Sequence, residues 1–261
     1  MDRVIALLQA DFGDWGKVHD VDGLIKQVKS DLGAKGFTAG SSRVVFSVCP
    51  DEINRLRERR TIEGAMASAY DGDFHMGTLA AYPIGGVTGI AAASHHAPER
   101  HVKGACIEGD VIFFASPHVG IVPGTRPTYG NVVRPGQEHE TPCCGAMMGF
   151  LNALKKAKTC SSLELDLDDP LDIARQIVFC ELAKQYKSEL DIIIKNEDEN
   201  KQVIELAKIN HDLVKKSLKR MLDAFLSKNK CENRYALVSG ITINAPGEDY
   251  FVLKEISILK G

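Results

Sequence analysis

The sequence predicts an α/β fold built on a largely parallel central sheet flanked by helices. Three observations carry this. VVFSV, closing a segment 43–48, and DVIFFAS at 110–116 are short apolar runs rich in β-branched and aromatic residues, the pattern of strands buried on both faces. The stretches between and after them carry apolar residues at helical spacing, so strands and helices alternate. Near the C-terminus YALVSGITINA and DYFVLKEISIL, separated by Pro-Gly-Glu, read as a strand pair that joins the sheet.

Residues 1–40 are expected to form N-terminal helices. Val4, Leu7 and Leu8, then Val21, Leu24, Ile25, Val28 and Leu32, recur at helical spacing, with ends near Gly33 and Gly36. The strand at 43–48 runs into Cys49-Pro50-Asp51-Glu52. Proline and two acids suit a first helical turn, which predicts a helix over 51–69. The arginines 55, 57, 59 and 60 then read as its solvated face. MGTLAAYPIGGVTGIAAA (76–93) predicts a strand reaching a tight turn at Gly85, then a short helix. The proline-rich stretch 121–142 is expected to be a long loop, after which Cys143-Cys144-Gly145 opens a helix. From Pro170 to about Lys228 the pattern is helical, interrupted near 195–200, and the segment 170–230 is expected to pack on the sheet. The whole chain, 1–261, reads as one domain.

Composition excludes several classes. With 32 basic and 35 acidic side chains the formal charge is -3, which gives no footprint for nucleic acid or an anionic membrane. No apolar run approaches the roughly 18 residues needed to cross a bilayer, so the expected location is cytoplasmic. The cysteines number seven, an odd count that argues for thiols rather than a disulfide framework. The GGVTG at 85–89 lacks the lysine of a phosphate loop and the full dinucleotide pattern.

The chemistry concentrates at strand and helix ends. Cys49 follows a strand, His118 follows the clearest strand between Pro117 and a glycine turn, and Cys143 and Cys144 sit where a loop becomes a helix. In parallel sheets, ligands bind beyond the carboxyl ends of the strands. Two thiolates and one imidazole make a zinc triad with the fourth position open to water, and their dispersal along the chain favours a catalytic site over a compact structural one. Asp51 stands two residues from Cys49. Either Cys143 or Cys144 can complete the set.

The strings CPDEINR, MGTLAAYPIGGVTG, SHHAPE, SPHVGI, PCCGAMMGF and ALVSGITIN resemble the limiting-CO2-inducible protein B/C family, a group similar to β-carbonic anhydrases in fold and metal site. The similar blocks span about 49–149 and return near 236–245. The resemblance implies a β-carbonic-anhydrase-like fold and Zn2+ on Cys49, His118 and a cysteine of CCG, Cys144 being favoured by the following glycine. It implies that Asp51 governs the metal-bound water. The expected activity is reversible hydration of carbon dioxide to bicarbonate by a zinc-bound hydroxide, with carbon dioxide and bicarbonate as ligands and a homodimer or larger homo-oligomer as the assembly. The competing readings are a catalytically weak or silent carbon dioxide or bicarbonate binder or scaffold, and another small zinc hydrolase. One departure stands out. β-Type enzymes pair the aspartate with an arginine two residues on, where this chain has Ile53; Arg55, one turn after Asp51, is a candidate substitute.

Overall fold

The computed structural model describes residues 3–261 apart from 71, 103–104, 126 and 170, so Pro170, where the helical segment was expected to begin, lies outside the described residues. The chain runs α1 (Arg3–Phe12), β1 (Lys17–Asp20), α2 (Val21–Gly33), β2 (Ser42–Val48), α3 (Ile62–Ala69), β3 (Asp73–His75), α4 (Gly86–His95), then a small hairpin of β4 (Arg100–Val102) and β5 (Ala105–Ile107). There follow β6 (Asp110–Ser116), β7 (His118–Val122), β8 (Thr128–Tyr129), β9 (Asn131–Val133), β10 (Glu140–Pro142), α5 (Gly145–Ala157), α6 (Ile173–Gln185), α7 (Lys187–Ile193), α8 (Glu199–Leu226), β11 (Tyr235–Asn244) and β12 (Asp249–Lys260).

The main sheet has the order β1-β12-β11-β6-β2-β3. Its inner pairs, β11 with β6, β6 with β2 and β2 with β3, are parallel. The C-terminal strand pair joins it antiparallel, and β1 adds an antiparallel edge on β12. β6 and the inner residues of β2 are buried along their length, as a sheet covered on both faces requires. One face packs on α2 and α3 through Leu24, Val28, Ile62 and Met66. The other packs on α4 and the C-terminal half of α8 through Ile90, Val214 and Leu218. A further cluster joins the N-terminal half of α8 to α5, α6 and α7.

Several sequence expectations are corrected. β1, a four-residue strand of mixed polarity, follows the first helix and lines the sheet edge. No helix spans 51–69: Glu52–Arg55 is a single 3₁₀ turn, Leu56 is extended, and the helix begins at Ile62 behind Thr61, whose hydroxyl accepts from the Gly64 amide. The arginines therefore share no helix face. Arg59 is 9% exposed and pairs with the fully buried Asp249 at 2.8 Å. The strand expected before Gly85 is replaced by a two-residue turn in which Ala80 and Ala81 both take positive φ, 48° and 66°. Glycine usually fills such a turn; here both methyl groups are buried, and the Ala81 carbonyl accepts from Ser47 at 2.6 Å. The long loop 121–142 carries short strands β8, β9 and β10.

Candidate metal centre

Cys49 lies one residue past β2, and His118 opens β7 two residues past the end of β6, so both project from the carboxyl edge of the parallel sheet. Cys144 is the N-cap of α5. The cysteine pair is pinned to the histidine strand by backbone: the Gly120 amide donates to the Cys143 carbonyl at 2.9 Å, and the Cys143 amide to the Gly130 carbonyl at 2.8 Å. Position 120 must be glycine, because a Cβ there would run into the Asn131 carbonyl oxygen.

Cys49 Sγ, His118 and Cys144 Sγ offer donor atoms all within 4.8 Å of one another, and all three residues are buried. The two sulfurs are 3.5 Å apart. A second set, Asp51, His118 and Cys143, meets the same distance limit and shares the imidazole. The two cysteines of CCG thus stand in different places. Cys144 faces Cys49, while Cys143 Sγ lies 3.3 Å from both His118 Nδ1 and Asn244 Oδ1.

Asn244 settles which imidazole nitrogen is available. Its Nδ2 donates to Asp249 Oδ1 at 3.0 Å and to Asn54 Oδ1 at 3.1 Å, so its Oδ1 faces His118 Nδ1 at 2.7 Å as an acceptor. Nδ1 then carries a proton in either charge state of the ring, which leaves Nε2 as the nitrogen available to a metal. Nε2 is buried and has no hydrogen-bond partner among the described residues. An orphaned imidazole nitrogen beside two thiols is a set of lone pairs that a soft cation would satisfy, and this N/S donor set fits zinc chemistry.

The electrostatics agree. The shared proton between Cys49 and Cys144, reinforced by His118, pushes the Cys49 thiol down to about 4. The same hydrogen bond, with burial, holds the Cys144 thiol well above the ordinary range. Burial lowers the His118 pKa, but the thiols, Cys143 foremost, raise it on balance. The cluster is a proton trap, and a divalent cation competes for the same lone pairs.

Asp51 caps the 3₁₀ turn through the Ile53 amide at 3.3 Å and places Oδ2 3.9 Å from His118 Nε2. Its arginine partner is Arg134, from the loop after β9: Nη2 lies 2.9 Å from Asp51 Oδ2, and Nε lies 2.7 Å from Glu52. Arg55 is not the substitute, since it binds Glu63 and His75 instead. Ile53 explains the exchange. It is fully buried against Val132 and Cys143, and the strand it packs on delivers Arg134 two residues later.

Beside the cluster lies a cavity of about 10 Å³, the scale of one water molecule. His118, Cys143 and Cys144 form one side; Met147 on α5 and Val203, Leu206 and Ala207 on α8 form an apolar wall. Sequence reasoning missed Arg134, Asn244 and the contribution of α8. Asn244 lay within a recognised block, and nothing in the sequence marked Arg134.

The family model of limiting CO2-inducible proteins B/C, described as beta carbonic anhydrases, matches residues 18–260. Among solved structures, PtLCIB4, a homologue of the limiting CO2-inducible protein LCIB, is similar over 97% of this chain and 94% of its own, with 26% identity and a TM-score of 0.76. A point mutant of that protein gives 25% identity and a TM-score of 0.77, covering 97% and 93%. LCIB itself shares the fold, with 20% identity and a TM-score of 0.71 over 99% and 96% of the two chains. No curated protein matches the sequence.

Proposed function

The chain belongs to the limiting CO2-inducible protein B/C family of beta carbonic anhydrases, and from that premise we propose that it holds one zinc ion on Cys49, His118 and Cys144 and interconverts carbon dioxide and bicarbonate there. The observation that carries this reading is the partnerless, buried His118 Nε2 standing among two thiols and an ion-paired carboxylate.

Zinc supplies an acidified water, with a pKa near about 7 in three-ligand sites. Everything else falls to the chain. Cys49 and Cys144 give two thiolates, and Asn244 keeps His118 in the tautomer whose Nε2 is free. Asp51 accepts a hydrogen bond from the reacting water, which turns an oxygen lone pair toward carbon dioxide. Arg134, 2.9 Å from Oδ2, keeps that carboxylate aimed. The wall of Met147, Val203, Leu206 and Ala207 excludes bulk water and suits an apolar triatomic substrate.

The second reading, a catalytically weak carbon dioxide or bicarbonate binder, draws support from Ile53 at the usual arginine position. Stopped-flow mixing with carbon dioxide, with and without a chelator, decides between them. The proposal expects hydration well above the uncatalysed rate that disappears on chelation and returns with zinc. A zinc-loaded protein that leaves the uncatalysed rate unchanged supports the binder.

A further inference from the structure

α8 presents a stripe toward the candidate site: Val203, Leu206, Ala207, then Asn210, at the three- and four-residue spacing of one helix face. Asn210 is the polar member of this stripe and is 1% exposed. A buried carboxamide is costly unless both halves are bonded. Only one half is. Nδ2 donates to the Ala80 carbonyl at 2.9 Å, while Oδ1 is buried with no partner among the described residues. The assignment of the two ends follows from chemistry, because the Ala80 carbonyl can only accept. The Ala80–Ala81 turn, with both residues at positive φ, presents that carbonyl to α8.

Asn210 also lines the cavity beside His118, Cys143 and Cys144. With His118 Nε2 assigned to the metal, Asn210 Oδ1 is the unsatisfied acceptor that the cavity keeps among the described residues, beside the apolar wall of α8, an arrangement that suits a small ligand carrying one hydroxyl donor. Carbon dioxide has no donor. Bicarbonate has one, its hydroxyl.

We propose that Asn210 is a binding residue for bicarbonate, its Oδ1 accepting the hydrogen bond of the bicarbonate hydroxyl. The proposal rests on the reading of the site given above and deepens it. Asn210 then distinguishes bicarbonate from planar anions of the same shape that lack a hydroxyl, because a carbonyl oxygen repels their oxygens. α8, which the sequence marked only as a packing helix, becomes part of the specificity of the site.

The test compares bicarbonate with nitrate, a planar three-oxygen anion without a donor. Cobalt(II) is loaded into the protein, and dissociation constants for both anions are read from the visible spectrum at a pH where bicarbonate dominates. Asn210→Leu is the main variant and Asn210→Ala the second, chosen in case leucine overfills the cavity. The expected result is a loss of bicarbonate affinity relative to nitrate of about tenfold, the scale of one hydrogen bond with its partner left unmade. A purely structural role, tying α8 to the Ala80 carbonyl, weakens both anions alike. An unchanged ratio in both variants overturns the assignment of Asn210 and leaves the metal site standing. Wild-type protein that takes up no cobalt overturns both.

Discussion

The Arg134 guanidinium holds the Asp51 carboxylate at 2.9 Å across 83 residues of sequence. It replaces an arginine two residues after the aspartate, a position that Ile53 fills with apolar bulk. Arg134→Ala is expected to keep zinc and fold but lose roughly a hundredfold in hydration rate, the scale of a misaimed catalytic group. Arg55→Ala, which disturbs only the Glu63 and His75 contacts, should retain the rate within a few-fold. Equal losses in the two variants, measured by stopped flow, contradict the pairing.

Asp51 itself makes a sharper case. Its side chain caps a 3₁₀ turn, a role whose loss costs about 1 kcal/mol. If it also directs the reacting water, Asp51→Ala should retain zinc and lose about two orders of magnitude in rate. A variant with a lower melting temperature and full hydration activity leaves it a cap alone.

The readable part of this fold was its long apolar runs. β2, β6, β11 and β12 announce themselves because both faces, or one long face, must be apolar. What failed was local reasoning about segments whose structure is set from a distance. Pro50-Asp51-Glu52 looks like a helix start, yet the following arginines are drawn apart: Arg55 to Glu63, Arg59 to Asp249 and Arg60 to Asp22. β1 has no hydrophobic signature because its order comes from pairing with β12. The Ala80–Ala81 turn lacks the usual Asn-Gly because burial of two methyl groups outweighs turn preference. At the site, Cys49, His118 and the cysteine pair were legible as reactive types at element ends. Arg134, Asn210 and Asn244 were not, since each reaches Asp51, the Ala80 carbonyl or His118 across at least 83 residues of sequence.

The cysteine pair separates by geometry. Cys144 Sγ stands with Cys49, and Cys143 Sγ stands on the Nδ1 side of His118. Cys144→Ser should therefore lose most bound zinc, while Cys143→Ser keeps about one zinc per chain, as a three-ligand site holds. Elemental analysis of both purified variants checks this, and the reverse pattern assigns the ligand to Cys143.

Glu63 gives the protein a pH signature apart from the metal. Burial pushes its carboxyl up to about 7, against the pull of Arg55, with Asp73 and Asp249 adding to the rise and His75 3.6 Å away. In the unfolded chain it titrates near about 4.3. Between those values the native chain keeps a proton that the unfolded chain has released, so this group's contribution to stability falls as pH rises from about 4.5 to 7. Glu63→Gln mimics the neutral form. Its melting temperature should gain on the wild type as pH is raised from about 4.5 to 7, the window those two values set; a constant difference contradicts a buried neutral carboxyl.

Association is open to a direct check. The outward side of α4 carries Val87, 40% exposed, among small residues that allow close approach of a second copy. Light scattering is expected to give a homodimer or a multiple of it. A monomer at micromolar concentration with hydration intact contradicts that expectation.

The central claim is that Cys49, His118 and Cys144 hold the zinc at which carbon dioxide is hydrated. Its most direct test is hydration rate followed against added zinc, starting from metal-free protein. The account predicts a rate that climbs linearly, saturates near one zinc per chain, and stays at the uncatalysed level throughout the same titration of Cys144→Ser. A rate that remains flat while the wild-type protein fills with zinc contradicts it.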